Sequence, residues 1–175
     1  GVVISASHNP YEDNGIKLFG PDGYKLSETQ EVEIESMIHA ASGGDEDRRD
    51  NPVGPIDRIE TAAEDYLAFL RGAMPDHFSL NGYRIVIDCA NGATSGIAAR
   101  LLATWGADLV VLFDRPDGIN INRGCGSEHT DTLRQKVVEE KADLGVAFDG
   151  DGDRMIAVDE TGRILSGDQI LAIGA

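Results

Sequence analysis

Apolar and polar positions change rhythm part-way along the chain. The runs GVVIS and NGIKLFG are short, apolar and rich in β-branched residues, and they read as strands on either side of a polar loop, SASHNP. PDG at 21–23 marks a turn. SETQ at 27–30 is a capping box, with Ser27 as N-cap and Gln30 reaching back, and it opens a helix that runs to about Ala41. The stretch 42–57 mixes glycine, proline and charges of both signs and reads as a loop. TAAE at 61–64 is a second capping box. Tyr66, Leu67, Leu70, Ala73 and Met74 then fall at helical spacing, and Pro75 marks the stop.

After SLNG the rhythm alternates between strand and helix. YRIVIDC over 83–89 is a buried strand, IAARLLATWG a short helix closing at Gly106, and ADLVVLF the next strand. The loop RPDGININ leads to a helix over 130–141. ADLGVAFD is then a third strand, and RMIAVD a candidate fourth. This order predicts an α/β fold whose parallel sheet is covered on both faces. Ligands of such sheets bind beyond the carboxyl ends of the strands, where Asp88 and Asp149 stand. The change of rhythm puts a domain boundary near 74–80.

Composition narrows the function classes. The chain has 175 residues, 41% hydrophobic and 26% charged, enough for a core. No apolar run approaches the ~20 residues of a membrane span, and no signal-peptide pattern is evident. A net charge of −16 argues against nucleic acid and against anionic membranes as partners. It also means that any phosphorylated ligand must be held by local donors, a metal or further protein. Cys89 and Cys125 form no CxxC pair or dense framework, and they point to a reducing compartment. A first residue inside an apolar run suggests a segment of something longer.

The strongest chemical signal is FDGDGDR over 148–154. Asp149, Asp151 and Asp153 alternate with glycines directly after a buried strand. Three carboxylates so close repel one another unless a cation neutralises them, and Gly150 and Gly152 let the backbone curl so that all three converge. Oxygen-only ligands suit a hard divalent ion, Mg²⁺ or Ca²⁺. A calcium-binding EF-hand is the competing reading, with Asp149, Asp151 and Asp153 at loop positions 1, 3 and 5, Ile156 at 8 and Glu160 at 12. Against it, Arg154 occupies position 6, where the sharp turn needs glycine. The flanks also read as strands rather than helices.

By itself SASHNP is turn chemistry, with Pro10 pre-setting φ and Ser7 and Asn9 able to bond their own backbone. Taken together, SASHNP…DNGIK and the later ADLGVAFDGDGDR resemble the α-D-phosphohexomutase superfamily. PDGININ, RGCGSEH and VIDCANGA are more similar to its bacterial phosphoglucosamine mutase branch than to its phosphomannomutase/phosphoglucomutase branch.

The resemblance implies three-layer αβα units with mixed, mostly parallel sheets, part of a four-domain enzyme. Residues 1–76 would be the end of the first domain and 77–175 most of the second. It implies that Ser7, not Ser5, is the phosphorylated residue, and that Asp149, Asp151 and Asp153 hold Mg²⁺ together with the phosphate on Ser7. Lys17 would be the base for the attacking hydroxyl, with His8 nearby either moving protons or orienting the loop. Arg154 would pair with a phosphate oxygen. Surface roles for Lys17 and Arg154 stay open on the residues alone. The implied reaction moves phosphate between glucosamine 6-phosphate and glucosamine 1-phosphate through phosphoserine and a bisphosphorylated sugar, in the cytoplasm. The implied partners are a phosphosugar, no nucleic acid and no membrane. The resemblance also allows a homodimer of the full-length enzyme, and it implies that this chain alone is inactive.

Overall fold

Val86 and Ile87 are neighbours on one strand, so their side chains point to opposite faces, yet both are fully buried. Only a sheet covered on both sides buries such a pair. The computed structural model describes residues 1–41 and 55–174. Along the chain run β1 (Val2–Ser5), a single 3₁₀ turn (Tyr11–Asp13), β2 (Gly15–Leu18), α1 (Glu28–Ala41), α2 (Ala62–Gly72), β3 (Arg84–Asp88), α3 (Ala98–Thr104), β4 (Asp108–Leu112), α4 (Asp131–Glu140), β5 (Leu144–Phe148), β6 (Met155–Asp159) and α5 (Gly167–Gly174). They divide into two units. One comprises Gly1–Ile4 with Ile16–Glu60, the other Ser5–Gly15 with Thr61–Ala175.

In the first unit β1 and β2 pair as a two-stranded sheet. The capping box at the start of α1 forms as read from the sequence. Ser27 N–H donates to Gln30 Oε1 at 3.0 Å, and Gln30 N–H donates to Ser27 Oγ at 3.4 Å. The loop expected over 42–57 lies mostly outside the described residues.

The second unit holds a four-stranded sheet in the order β4-β3-β5-β6. β3 runs parallel to β4 and β5, whereas β6 is antiparallel to β5. The short β5–β6 connection forces that reversal, because a parallel return needs a crossover of a dozen or more residues. On one face Val86, Ala147 and Val158 pack with Leu133 and Val137 of α4. On the other, Ile85, Ile87 and Cys89 pack with Ala98 and Leu102 of α3. The helices on these two faces are the outer layers of a three-layer αβα arrangement.

Two details depart from the sequence reading. Thr61 makes no cap bond. Its hydroxyl donates to Asp65 Oδ2 at 2.8 Å, and Glu64 is drawn instead into an ion pair with Arg100 of α3. The closing helix α5 was not expected, although its signal was present in SGDQ. Ser166 N–H donates to Gln169 Oε1 at 2.8 Å and Gln169 N–H donates to Ser166 Oγ at 3.2 Å, another capping box.

Asp88 closes β3 as a fully buried carboxylate. Oδ1 accepts Ala90 N–H at 2.8 Å and Oδ2 accepts Gly126 N–H at 2.9 Å, so this one side chain anchors two loops at the sheet's carboxyl end. Burial pushes its carboxyl above the usual carboxylate range, and the two N–H bonds only partly offset that. The native state therefore holds this proton more tightly than the unfolded chain does. Stability from this group is complete below the ordinary carboxylate pKa and is lost as pH rises through the raised value. In urea melts, Asp88→Asn is expected to lose this component of the pH dependence. It should also cost about 1–3 kcal/mol, because one N–H would face an amide nitrogen. An unchanged pH profile would mean that Asp88 titrates alike in both states.

Candidate active site

The site forms where three loops of the second unit meet at the carboxyl ends of β3 and β5. The loop after β5 begins with Asp149, which is fully buried. Its Oδ1 accepts Gly152 N–H at 2.9 Å and Arg154 N–H at 3.3 Å, which closes the turn. Oδ2 instead faces Ser7 Oγ, at 3.4 Å. His8 Nδ1 lies 3.4 Å from the same Oγ. Ser7, His8 and Asp149 are thus brought together from opposite ends of the sequence, although both contacts to Oγ are long for hydrogen bonds.

Ser7 has φ +52°, the left-handed region that a residue with a Cβ rarely occupies. The conformation is held from several sides. Ser7 N–H donates to Ser5 Oγ at 3.1 Å, its carbonyl accepts Gly150 N–H at 2.9 Å, and Asn9 N–H turns back to Ala6 O at 2.9 Å. Ser5 is the link in this arrangement, for its hydroxyl also donates to Asp151, 2.7 and 2.8 Å from the two carboxylate oxygens. The two serines of the motif therefore have separate tasks. Ser5 ties backbone to carboxylate, while Ser7 Oγ faces the buried Asp149.

The expected convergence of three aspartates is not what the turn displays. Among the described residues, no three histidine, cysteine, aspartate or glutamate side chains are gathered as a metal cage. Like charges repel, and each carboxylate takes the donor at hand. Asp149 takes backbone N–H groups, Asp151 takes the Ser5 hydroxyl, and Asp153 is exposed. Arg154 is also exposed, with its backbone bonded to Asp149. Lys17 belongs to the first unit, where it is half-buried on β2 beside a groove shared with Lys25, Glu31 and Glu35.

Gly150 is needed for close approach rather than for curl. A Cβ there would sit 2.4 Å from the Ser7 carbonyl oxygen. Gly92 faces the other side of the same backbone, and its Cβ would meet Gly150 O at 2.4 Å. Ala93 N–H donates to Gly150 O at 2.8 Å, so the main chains of the three loops lie against one another. Beside the serine loop a groove of about 370 Å³ is lined by His8, Tyr11, Asn122, Arg123 and His129. Arg123 and Glu12 put fixed charges of both signs along it.

The family model described as phosphoglucomutase/phosphomannomutase, alpha/beta/alpha domain II, matches residues 64–162, more than half of the chain. The chain belongs to the phosphoglucomutase/phosphomannomutase family. The domain I model of that family matches residues 1–44, the part that carries Ser7. A phosphoglucosamine mutase of Syntrophobacter fumaroxidans is 51% identical over 99% of this chain and 38% of its own length. One of Desulforudis audaxviator is 53% identical at the same coverage. The chain thus spans less than two fifths of the length of these curated relatives. In the crystal structure of a phosphoglucomutase/phosphomannomutase family protein from Burkholderia thailandensis, the match covers 99% of this chain and 36% of that one, with a TM-score of 0.76 and 29% identity.

In this member of the family, sequence reading missed Asn122 and the linking role of Ser5. Asn122 is buried at φ +57°, and its Nδ2 donates to Ser7 O at 2.8 Å and Asn9 O at 2.7 Å. Its signal is the second asparagine of GININ, a stretch that carries the branch resemblance but assigns this residue no role. Asp88 and Asn91 hold the surrounding loops. Asn91 Oδ1 accepts Arg115 N–H at 3.1 Å.

Proposed function

We propose that the chain supplies the phosphoserine and metal-binding parts of a phosphoglucosamine mutase, which moves a phosphoryl group between glucosamine 6-phosphate and glucosamine 1-phosphate. The observation that carries the reading is Ser7 Oγ lying 3.4 Å from the buried Asp149 carboxylate, on a backbone held in the left-handed region. Its sugar class follows the relatives named phosphoglucosamine mutase at about half identity.

In this reading phosphorylated Ser7 gives its phosphoryl group to the free sugar hydroxyl. The resulting bisphosphorylated sugar turns over, and Ser7 Oγ accepts the other phosphate. Lys17 takes the proton of the attacking hydroxyl, His8 orients the loop beside Oγ or assists with that proton, and Arg154 pairs with a phosphate oxygen. Phosphoryl transfer depends mainly on positioning and charge stabilisation, which suits a serine fixed through its main chain.

The donor set fits Mg²⁺ in its chemistry, since Asp149, Asp151, Asp153 and a phosphorylated Ser7 offer only oxygen. Bound there, the ion would neutralise charge on the transferring phosphate. Residues 1–76 and 77–175 are read as the end of the first domain and most of the second, in a cytoplasmic enzyme that acts as a whole. The segment by itself should show no turnover. No described helix is long and apolar enough to cross a membrane.

Intact mass and peptide mapping of the full-length protein, after treatment with the sugar bisphosphate, should find one phosphate, on Ser7. A calcium module has no reason to carry it, and phosphate on Ser5 or Ser27 would overturn the assignment. Asp151→Asn should lower turnover while leaving metal-free stability level or higher, because it relieves carboxylate repulsion and keeps an oxygen for Ser5. Clear destabilisation of the metal-free variant would make the turn a structural element.

A further inference from the structure

We propose that Asn122 is a positioning residue for transfer at Ser7, its side-chain amide fixing where Ser7 Oγ stands by holding the carbonyls on either side of His8. This rests on the mutase reading given above. Both partners of Nδ2, Ser7 O and Asn9 O, are pure acceptors, so the orientation of the amide is dictated by its neighbours. Asn122 is itself anchored. Its N–H donates to Ala90 O at 2.9 Å, and its side chain is buried. Its φ of +57° is a conformation that asparagine tolerates better than most residues.

The geometry makes the clamp specific. A carbonyl oxygen has two lone pairs, and those of Ser7 are taken by Gly150 N–H and Asn122 Nδ2. Ser7 N–H is held separately by Ser5 Oγ. A left-handed serine persists only where its surroundings over-determine it. Here Gly150 and Asn122 reach the Ser7 carbonyl from different loops, and Asn122 alone also holds Asn9. Aspartate would present no donors to those carbonyls, and glutamine would place its donors one methylene too far. The groove beside the loop carries Asn122 as well, so the clamp lies where a sugar phosphate would enter.

The test uses the full-length protein with Asn122→Asp, Asn122→Gly and Asn122→Gln. Asparagine-sized aspartate reverses the polarity of the clamp, while glycine keeps the left-handed backbone and removes the clamp. Turnover number per folded molecule should fall about 10²-fold in both, with KM for glucosamine 6-phosphate nearly unchanged, and glutamine should recover part of it. Hydrogen exchange of a peptide covering 5–13 should quicken about tenfold in the glycine variant, while β3 and β5 keep their protection. A role confined to folding would lower the yield or the melting temperature yet leave turnover per folded molecule intact, and that result overturns the proposal. So does a raised KM with unchanged turnover, or unchanged exchange over 5–13. If the aspartate and glycine variants do not fold, the glutamine variant decides by the same split between turnover and KM. If wild-type protein takes no phosphate on Ser7 from the bisphosphate, the mutase reading fails, while the exchange comparison still decides whether Asn122 holds the loop.

Discussion

Ser7→Ala in the full-length protein is expected to lower turnover by several orders of magnitude and to abolish phosphate uptake from the sugar bisphosphate. On the proposed reading Ser7 Oγ both gives and takes the phosphoryl group, and the substitution removes that oxygen. Folding should scarcely notice, because the loop is held through main-chain atoms, namely Ser7 N–H to Ser5 Oγ and Ser7 O to Gly150 N–H. Ser5→Ala makes the informative contrast. It deprives Asp151 of its 2.7 Å hydroxyl donor and leaves Ser7 N–H without its acceptor, at a cost of about 1–3 kcal/mol. It keeps the Ser7 hydroxyl. Phosphate uptake should therefore survive in Ser5→Ala and vanish in Ser7→Ala, as read by intact mass. The reverse pattern would assign the chemistry to Ser5.

Gly150→Ala is expected to have the next largest effect, for a reason of space. The added Cβ would lie 2.4 Å from the Ser7 carbonyl oxygen, 2.8 Å from Ile121 Cδ1 and 2.9 Å from Asn122 Nδ2. The Ile121 tip can yield, but the Ser7 carbonyl belongs to a backbone pinned from several sides. Overpacking of this kind costs about 1–3 kcal/mol. The strain should fall on the serine loop, moving Ser7 away from Asp149. Turnover should drop at least about 10²-fold even in the folded fraction, since a displacement of an ångström suffices for that. Gly167→Ala is the control, because its Cβ meets nothing within 4 Å. Equal melting temperatures and turnover for the two variants would show that the Gly150 contact is slack.

Much of the sheet could be read from residue order alone. The continuous apolar runs of β3 and β5 marked buried strands, and Asp88, which ends β3, and Asp149, which follows β5, lie where the loops meet. What escaped was set by tertiary partners. TAAE has the pattern of a capping box, but Arg100 competes for Glu64, and no local rule reveals an arginine on another helix. The three aspartates were legible as carboxylates close in sequence, whereas the separate partners of Asp149 and Asp151 were not. Ser5 engages Asp151 across 146 residues, and Asn122 reaches Ser7 across 115. Such contacts follow from topology, so a polar loop residue like Asn122 looks ordinary until the strands have been placed.

The packing of the sheet also settles the fate of its sulfur chemistry. Cys89 and Cys125 are fully buried, and burial pushes their thiols up to about 11 and about 12. Protonated and covered, they offer no thiolate to an oxidant or an alkylating reagent while the fold is closed. Their sulfur atoms then become a clock. Once the unit opens, both are exposed as ordinary cysteines, so the rate at which they are consumed measures how often the second unit comes apart.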